Sequence, residues 1–363
     1  LSDSTGGITG SDVWTFSAQD KNFDYLAAGE TLTLTYTVKV DDGHGGTATQ
    51  DVAVTITGTN DTPVITSAAQ IGSITEETNL HQPNPTGSSD LDKASGTVTF
   101  TDADLSDHHQ VTVTGVAASG VTTGLADQAA VLGWLTLGAL SDSTGGITGS
   151  DVWTFSAQDK NFDYLAAGET LTLTYAVKVD DGNGGMATQD VAVTVTGTND
   201  TPVINLVDHD SAAATLTESY KTLATSGTLT VTDVDLSDTV TATVKGVTLG
   251  GTTGGLTSAN VLDMLSVTSG AIAADPADTH NLAWSFNSNP QTFGFLDAGE
   301  SLTLTYTVQV NDGHGGIADQ AVTVTVNGTN QPDLFTSFTG IDSHGYVGED
   351  TPVTEHVSDG GVD

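Results

Sequence analysis

Apolar and polar residues alternate with a period of two along most of this chain. In TLTLTYTVKV, Leu32, Leu34, Tyr36, Val38 and Val40 fall on one face, and Thr31, Thr33, Thr35, Thr37 and Lys39 on the other. Such alternation predicts a strand with one face in a core and one in water. DVAVTIT repeats it through Val52, Val54 and Ile56. Between the two lies DDGHGG, whose Asp-Gly and Gly-Gly pairs supply the positive φ angles of a hairpin turn. GTVTF at 96–100 and GTLTV at 227–231 predict further strands, and residues 127–132 are the one helical candidate. Short strands with two distinct faces, separated by turn signals, predict an all-β sandwich architecture.

The pattern recurs as a block. Residues 1–65 match 140–204 at an offset of 139, with four differences: Thr37/Ala176, His44/Asn183, Thr47/Met186 and Ile56/Val195. A more diverged copy lies 131 residues further on; Trp14, Trp153 and Trp284 correspond, as do Tyr36, Tyr175 and Tyr306, and all read as core. A repeat of this length is a domain rather than one coil of a solenoid. GTNDTPVI at 58–65 and 197–204, and GTNQPD at 328–333, read as linkers, because Pro63, Pro202 and Pro332 fix φ and restrict the residue before them. The chain then divides into the C-terminal part of a β-sandwich repeat (1–61), a complete repeat (62–200), a complete diverged repeat (201–331) and the start of a further one (332–363). Residues 1–61, without front strands, are expected to expose strand edges.

Charge changes the picture. There are 46 acidic residues against 7 lysines and no arginine, for a net charge of -39. Nucleic acid and anionic membranes need a basic surface and are excluded as partners. The charge favours a protein that binds cations, or one that stays soluble through self-repulsion. The chain has no cysteine, so disulfides and thiolate metal sites are excluded. The longest apolar run, AAVLGWLTLGAL at 129–140, is too short to span a bilayer. The sequence carries no P-loop, no His-Glu-x-x-His and no Gly-x-Ser-x-Gly, and the expected function is non-catalytic.

Two acidic loops carry the candidate chemistry. TDADLSD at 101–107 and TDVDLSD at 232–238 each follow a strand, so each lies at a sandwich end. Alternating aspartates aim hard oxygens at one point, as calcium requires: about 6–8 oxygens at about 2.3–2.6 Å. Neither is an EF-hand loop, because Asp107 and Asp238 stand where glycine is needed. In an immunoglobulin-type sandwich the B–C and F–G loops share one end. That end also receives the preceding linker. Asp102, Asp104 and the Asp180/Asp181 pair are therefore expected to converge on Asn60 and Asp61. One repeat on, Asp233, Asp235 and Asp312 are expected around Asn199 and Asp200. His108 and His109 read as solvated loop residues, and His44 and His314 as turn residues without a ligand role.

YTVKVDDGHGGTATQDVAVTITGTNDTPVI resembles the C-terminal half of a cadherin repeat, with its Asp-Gly hairpin and Asn-Asp-x-x-Pro linker, and DAD at 102–104 matches the cadherin motif of that spelling. FLDAGE at 295–300 loosely resembles the Leu-Asp-Arg-Glu motif, and TEE at 75–77 and TES at 217–219 stand for the early glutamate. Over nearly the whole chain, from GTVTFTDADLSD through WTFSAQ and LAAGETLTLTYTVKVDDGHGG to GTND, the sequence is similar to the VCBS repeats of large bacterial RTX-type surface adhesins. The resemblance implies tandem immunoglobulin-like (cadherin-like) β-sandwich domains in an elongated array, with Ca2+ between neighbouring repeats. It implies an extracellular, cell-surface stalk that extends an adhesin in cell adhesion and biofilm formation. It also implies that Glu76, Glu169 and Glu218 join the site at their own domain's C-terminal end, as do Glu30, Asp297 and Glu300. Ala27 and Ala166 replace the aspartate of the Asp297 position. At the third linker Asn330 keeps its place while Gln331 replaces Asp61 and Asp200, which implies a weaker or shifted site. Two alternatives stand beside this. One is a recognition module for host-cell or biofilm glycans, centred on the diverged segment 269–293. The other is a homotypic, surface-layer-like assembly.

Overall fold

The computed structural model describes residues 2–330 apart from 4, 8, 78–89, 220, 275 and 276. Gln331, Pro332 and the expected further repeat at 332–363 lie outside the described residues. Residues 64–196 build two four-stranded sheets. One runs in the order Val64–Ile65, Leu91–Thr101, Gly149–Gln158, Leu135–Leu137; the other runs Gln70–Thr75, Met186–Thr196, Thr170–Asp180, Gln110–Gly120. All pairs are antiparallel except Gln70–Thr75 on Met186–Thr196. Residues 203–327 repeat the plan. Their first sheet is Val203–Asn205, Ala224–Thr232, Leu282–Asn287, Leu265–Val267. Their second is Ala213–Thr217, Ile317–Asn327, Ser301–Asn311, Thr239–Gly251, Ala271–Ala273. The protein is all-β, with tandem immunoglobulin-like β-sandwiches. Among the described residues no helix is long and apolar enough to cross a membrane.

Each sandwich closes on the face that the alternation marks. Leu171, Leu173, Tyr175 and Val177 are fully buried in one cluster with Val98, Trp153 and Phe155 of the opposite sheet. Burying one such side chain stabilises by about 1.5–3 kcal/mol. The Tyr175 hydroxyl donates to the Val131 carbonyl at 2.8 Å, and Tyr306 repeats this to Val261 at 2.9 Å. Val131 lies in the helix Gln128–Gly133, where the sequence places one; Asp127 caps it, accepting from the Ala130 amide at 2.8 Å. Replacing Asp127 by Ala is expected to cost about 1 kcal/mol. Thermal unfolding should show this as a fall of a few degrees in the 62–200 unit alone.

One stretch of sequence adopts two structures. SDVWTFSAQ at 150–158 is a strand, paired with Leu91–Thr101 so that Gly96 faces Trp153. The same letters at 11–19 form no strand; Ser11 makes a single bridge to Ser2. Trp153 is 1% exposed and Trp14 56%; Tyr175 is 0% exposed and Tyr36 49%. The core reading therefore holds for Trp153, Trp284, Tyr175 and Tyr306 but not for Trp14 and Tyr36. The hairpin Thr31–Asp41 with Thr47–Thr57 forms in both copies because its turn is local. The Trp strand needs a partner that is distant in sequence.

Candidate metal centres

The hairpin turn sets the first ligands. Its second aspartate points inward: Asp181 Oδ1 accepts the amides of Asn183 at 2.7 Å and Gly185 at 2.9 Å. Asp312 Oδ1 does the same for His314 at 2.7 Å and Gly316 at 3.0 Å. A Cβ at Gly185 or Gly316 would collide with the aspartate's other oxygen. That oxygen, Oδ2, meets the linker. Asn60 Nδ2 donates to Asp181 Oδ2 at 3.0 Å, and Asn199 Nδ2 to Asp312 Oδ2 at 3.1 Å. Asp180, one residue earlier, points the other way, accepting from Lys178 Nζ at 2.8 Å and the Gly182 amide at 2.9 Å. Successive strand residues face opposite sides, so the structure brings Asp181 to the linker and leaves Asp180 outside.

The acidic loop grips the linker backbone. Asp104 Oδ2 accepts the Asp61 amide at 2.7 Å, and Asp235 Oδ2 accepts the Asp200 amide at 2.8 Å. Asp102 Oδ1 accepts the Asp104 amide at 3.0 Å, and Asp233 Oδ1 the Asp235 amide at 3.2 Å. Oxygens are left over at both joints. Asp104 Oδ1, Asp233 Oδ2, Asp235 Oδ1, Asn60 Oδ1 and Asn199 Oδ1 are buried without a hydrogen-bond partner. Carboxylate oxygens of Asp102, Asp107 and Asp181 lie within 4.8 Å of one another, and so do those of Asp233, Asp238 and Asp312.

The two joints differ in the histidines beside them. His109 Nε2 lies 3.0 Å from Asp102 Oδ2, and its Nδ1 lies 2.7 Å from Asp142 Oδ1. The His109 side chain is fully buried, which corrects its reading as a solvated loop residue; His108 is exposed as expected. His314, read as a bystander, places Nδ1 3.0 Å from Asp238 Oδ2 at the edge of the second group.

The preceding unit supplies a further set. Glu76 Oε2 accepts the Thr198 amide at 2.8 Å and its hydroxyl at 2.7 Å, while Oε1 is buried without a partner. Asp159 Oδ1 accepts the Glu77 amide at 2.9 Å, and its Oδ2 is likewise unpartnered. Carboxylate oxygens of Glu76, Asp159 and Asp163 lie within 4.8 Å of one another. At the first linker Asp20 and Asp24 hold the corresponding positions, and their charges act on Asp61 together with that of Asp102. Successive units touch here: the Leu105 amide reaches the Tyr25 carbonyl at 3.3 Å, and Leu236 reaches Tyr164 at 3.4 Å. Glu218 Oε2 accepts the Thr329 hydroxyl at 3.1 Å.

Other candidates sit elsewhere. Glu30, Glu169 and Glu300 each turn Oε2 back onto the amide three residues earlier, at 3.1, 3.1 and 3.0 Å. They brace the tight turn before the long strand and do not enter the carboxylate groups. Asp297 and Asn330 are exposed. Asp107 and Asp238 close the two acidic loops but are not among the ligands expected from the sequence, and Asp159, Asp163, Asp20 and Asp24 lie outside the motifs altogether. The signal that could have found four of them is DKNFD, identical at 20–24 and 159–163.

Burial governs how these groups titrate. It pushes the Glu76 carboxyl up to about 8, Asp235 up to about 8 and Asp233 up to about 7. It also raises Asp104, Asp159 and Asp61 above the usual range, and Asp92 to about 6. At Asp181 burial is outweighed by the Asn60 side chain and the turn amides, which hold its carboxyl low. A buried oxygen without a partner costs about 1–3 kcal/mol, and more when charged. A cation removes that cost. The donors are carboxylate and amide oxygens, a set suited to a hard divalent ion such as calcium. No soft ligand is among them.

No protein-family model matches the chain, and no curated protein matches it. Solved structures do. A protocadherin fragment, PcdhgB3 EC1-4, is 14% identical with a TM-score of 0.37; the match covers 86% of this chain and 59% of that one. Extracellular cadherin domains 3-6 of protocadherin gamma B2 match at 12% identity and a TM-score of 0.34, over 87% of this chain and 63% of that one. The human desmocollin-1 ectodomain matches at 14% identity and a TM-score of 0.28, over 88% and 50%. The chain thus spans less than two thirds of the length of each of these.

Proposed function

We propose that the chain is a calcium-stiffened, non-catalytic extender segment of a secreted bacterial surface adhesin, built from repeats at 62–200 and 201–331. One observation carries this. At the second linker, buried carboxylates with unpartnered oxygens come from both flanking units, Glu76 and Asp159 before it and Asp233 and Asp235 after it, and at the first linker Asp104, with one unpartnered oxygen, grips the Asp61 amide beside the buried Asp102, Asp107 and Asp181. Several carboxylates in one buried space repel strongly without a cation and hold adjacent units in register with one. Asn60, Asp61, Asp102, Asp104, Asp107 and Asp181 form the first site. Glu76, Asp159, Asp163, Asn199 and Asp200 meet Asp233, Asp235, Asp238 and Asp312 at the second. The VCBS resemblance supports the bacterial, cell-surface setting, where calcium is abundant and the cytoplasm that the chain leaves is calcium-poor.

The test is Asp235→Asn at pH 8. With chelator the variant is expected to melt above the parent by the equivalent of roughly 1 kcal/mol, because a buried charge is gone and the Asp200 amide keeps an acceptor. With calcium it is expected to bind at least tenfold more weakly by calorimetry. A parent chain that shows neither heat nor a melting shift up to about 10 mM calcium, where extracellular modules fill, would sink the reading.

A further inference from the structure

The carboxylate group at the far end of the 62–200 unit extends past the linker. Strand Leu91–Thr101 brings Asp92 beside it, and Asp92 Oδ2 is buried without a hydrogen-bond partner. The like charges acting on Asp92 are those of Asp159, Glu77 and Asp163. Asp159 is 1% exposed, with one oxygen on the Glu77 amide and Oδ2 unpartnered. The Asp159 amide in turn donates to the Asp90 carbonyl at 3.2 Å, which ties the loop to the start of this strand. Asp92 belongs to neither acidic loop and touches no linker residue in the hydrogen-bonding described above.

The following unit supplies a comparison within one molecule. Gly96 faces Trp153 as Gly227 faces Trp284, so Asp92 corresponds to Leu223 and Asp90 to Lys221. The Glu76 amide meets the Thr196 carbonyl as Glu218 meets Asn327, so Glu77 corresponds to Ser219. Counting from the same tryptophans, Asp159 corresponds to Pro290 and Asp163 to Gly294. Five carboxylates are replaced together, and Glu76 alone persists, as Glu218. One replacement is a cation, and another, Leu223, is packed into the apolar core. Carboxylates kept for surface solvation would be exchanged singly and for other polar groups. Joint replacement of a contiguous set by Lys, Leu, Pro, Gly and Ser fits the loss of a shared ligand.

We propose that Asp92, Asp159 and Asp163, flanked by Glu77, hold a further hard divalent cation beside the linker ion, and that the far end of the 201–331 unit is built without one. This rests on the reading of the linkers as cation sites. The experiment is calcium titration of the full chain by calorimetry at pH 8, with thermal unfolding in calcium and in chelator, for the parent, Asp92→Leu, Asp92→Asn and Asp235→Asn. Asp92→Leu is expected to take up one calcium fewer than the parent, to melt higher in chelator and to gain less on adding calcium. Asp92→Asn keeps the side-chain volume and guards against a packing failure; at least tenfold weaker binding of one ion is expected. Unchanged stoichiometry and unchanged calcium gain in both Asp92 variants, while Asp235→Asn loses binding, overturns this site and leaves the linker reading standing. A parent that takes up no calcium overturns both.

Discussion

Chelation is expected to lower the melting temperature of the 62–200 unit by roughly 15–25 °C, and that of the 201–331 unit by about half as much. On the proposed reading the first unit binds calcium at both ends, through Asp102, Asp104 and Asp181 at one and through Glu76 and Asp159 at the other. The second has a carboxylate group at its near end, around Asp233 and Asp235; at its far end Pro290 and Gly294 stand where Asp159 and Asp163 would be. One site at about 100 times its dissociation constant adds about 2.7 kcal/mol. Two add about 5, against a domain stability of about 5–15 kcal/mol. Scanning calorimetry should resolve two transitions that lie closer together in one condition than in the other. Asp127→Ala, which touches only the first unit, assigns them. Equal shifts in both units would mean that calcium acts on something common, such as net charge, rather than on the joints.

The strands were legible because a period of two needs no distant information, and the hairpin at 41–47 because Asp-Gly turns are local. The Trp strand shows the limit: identical letters at 11–19 and 150–158 differ in structure because only the second copy has Leu91–Thr101 to pair with. Pairings of Asn60 with Asp181 and of Asp61 with Asp104 followed from which loops share a sandwich end. Which of two adjacent aspartates turns inward did not, since that depends on strand phase at the last residue before the turn. Glu30, Glu169 and Glu300 resemble ligands by spelling, yet a glutamate three residues after a turn amide is also placed to accept from it. Asp159 and Asp163 were hidden because they reach the linker through a short 3-10 turn, Asp159–Asn161, that no periodicity marks. His109 is buried although its loop reads as solvated, because it packs on Phe100, whose ring lies 4.9 Å away on a strand nine residues earlier.

Without calcium the protein is expected to be less stable at pH 8.5 than at pH 5, and calcium should remove or reverse that order. Folded-state values of about 8 for Glu76 and Asp235 and about 7 for Asp233 stand above ordinary carboxylate values of 4.5 and 3.8. Between those limits the folded chain holds protons that the unfolded chain has released. Stability therefore falls as pH rises from about 4 and the loss is complete above about 8. Each unit of displacement is worth about 1.4 kcal/mol per group. Asp233 and Asp235 act on each other and titrate as a set, so the total is on the order of several kcal/mol rather than a sum of separate terms. His109 works in the same direction: burial lowers its pKa, but Asp102 and Asp142 raise it further, and that stabilisation is also lost as pH rises. Asp210, held down at about 2 against burial chiefly by His280 and Thr230, loses its contribution only below about pH 4, outside this window. Bound calcium keeps the same carboxylates ionised in the folded state and inverts their sign, so binding near pH 7 should release protons, seen as buffer-dependent heat. Salt separates this from general acidity. A net charge of -39 spread over the surface also favours low pH, but its effect is screened within about 10 Å at 0.1 M salt. Buried carboxylates are screened much less. The chelated chain should keep most of its pH dependence at high salt; a dependence that vanishes with salt would place the acidity on the surface and take the charge out of the joints.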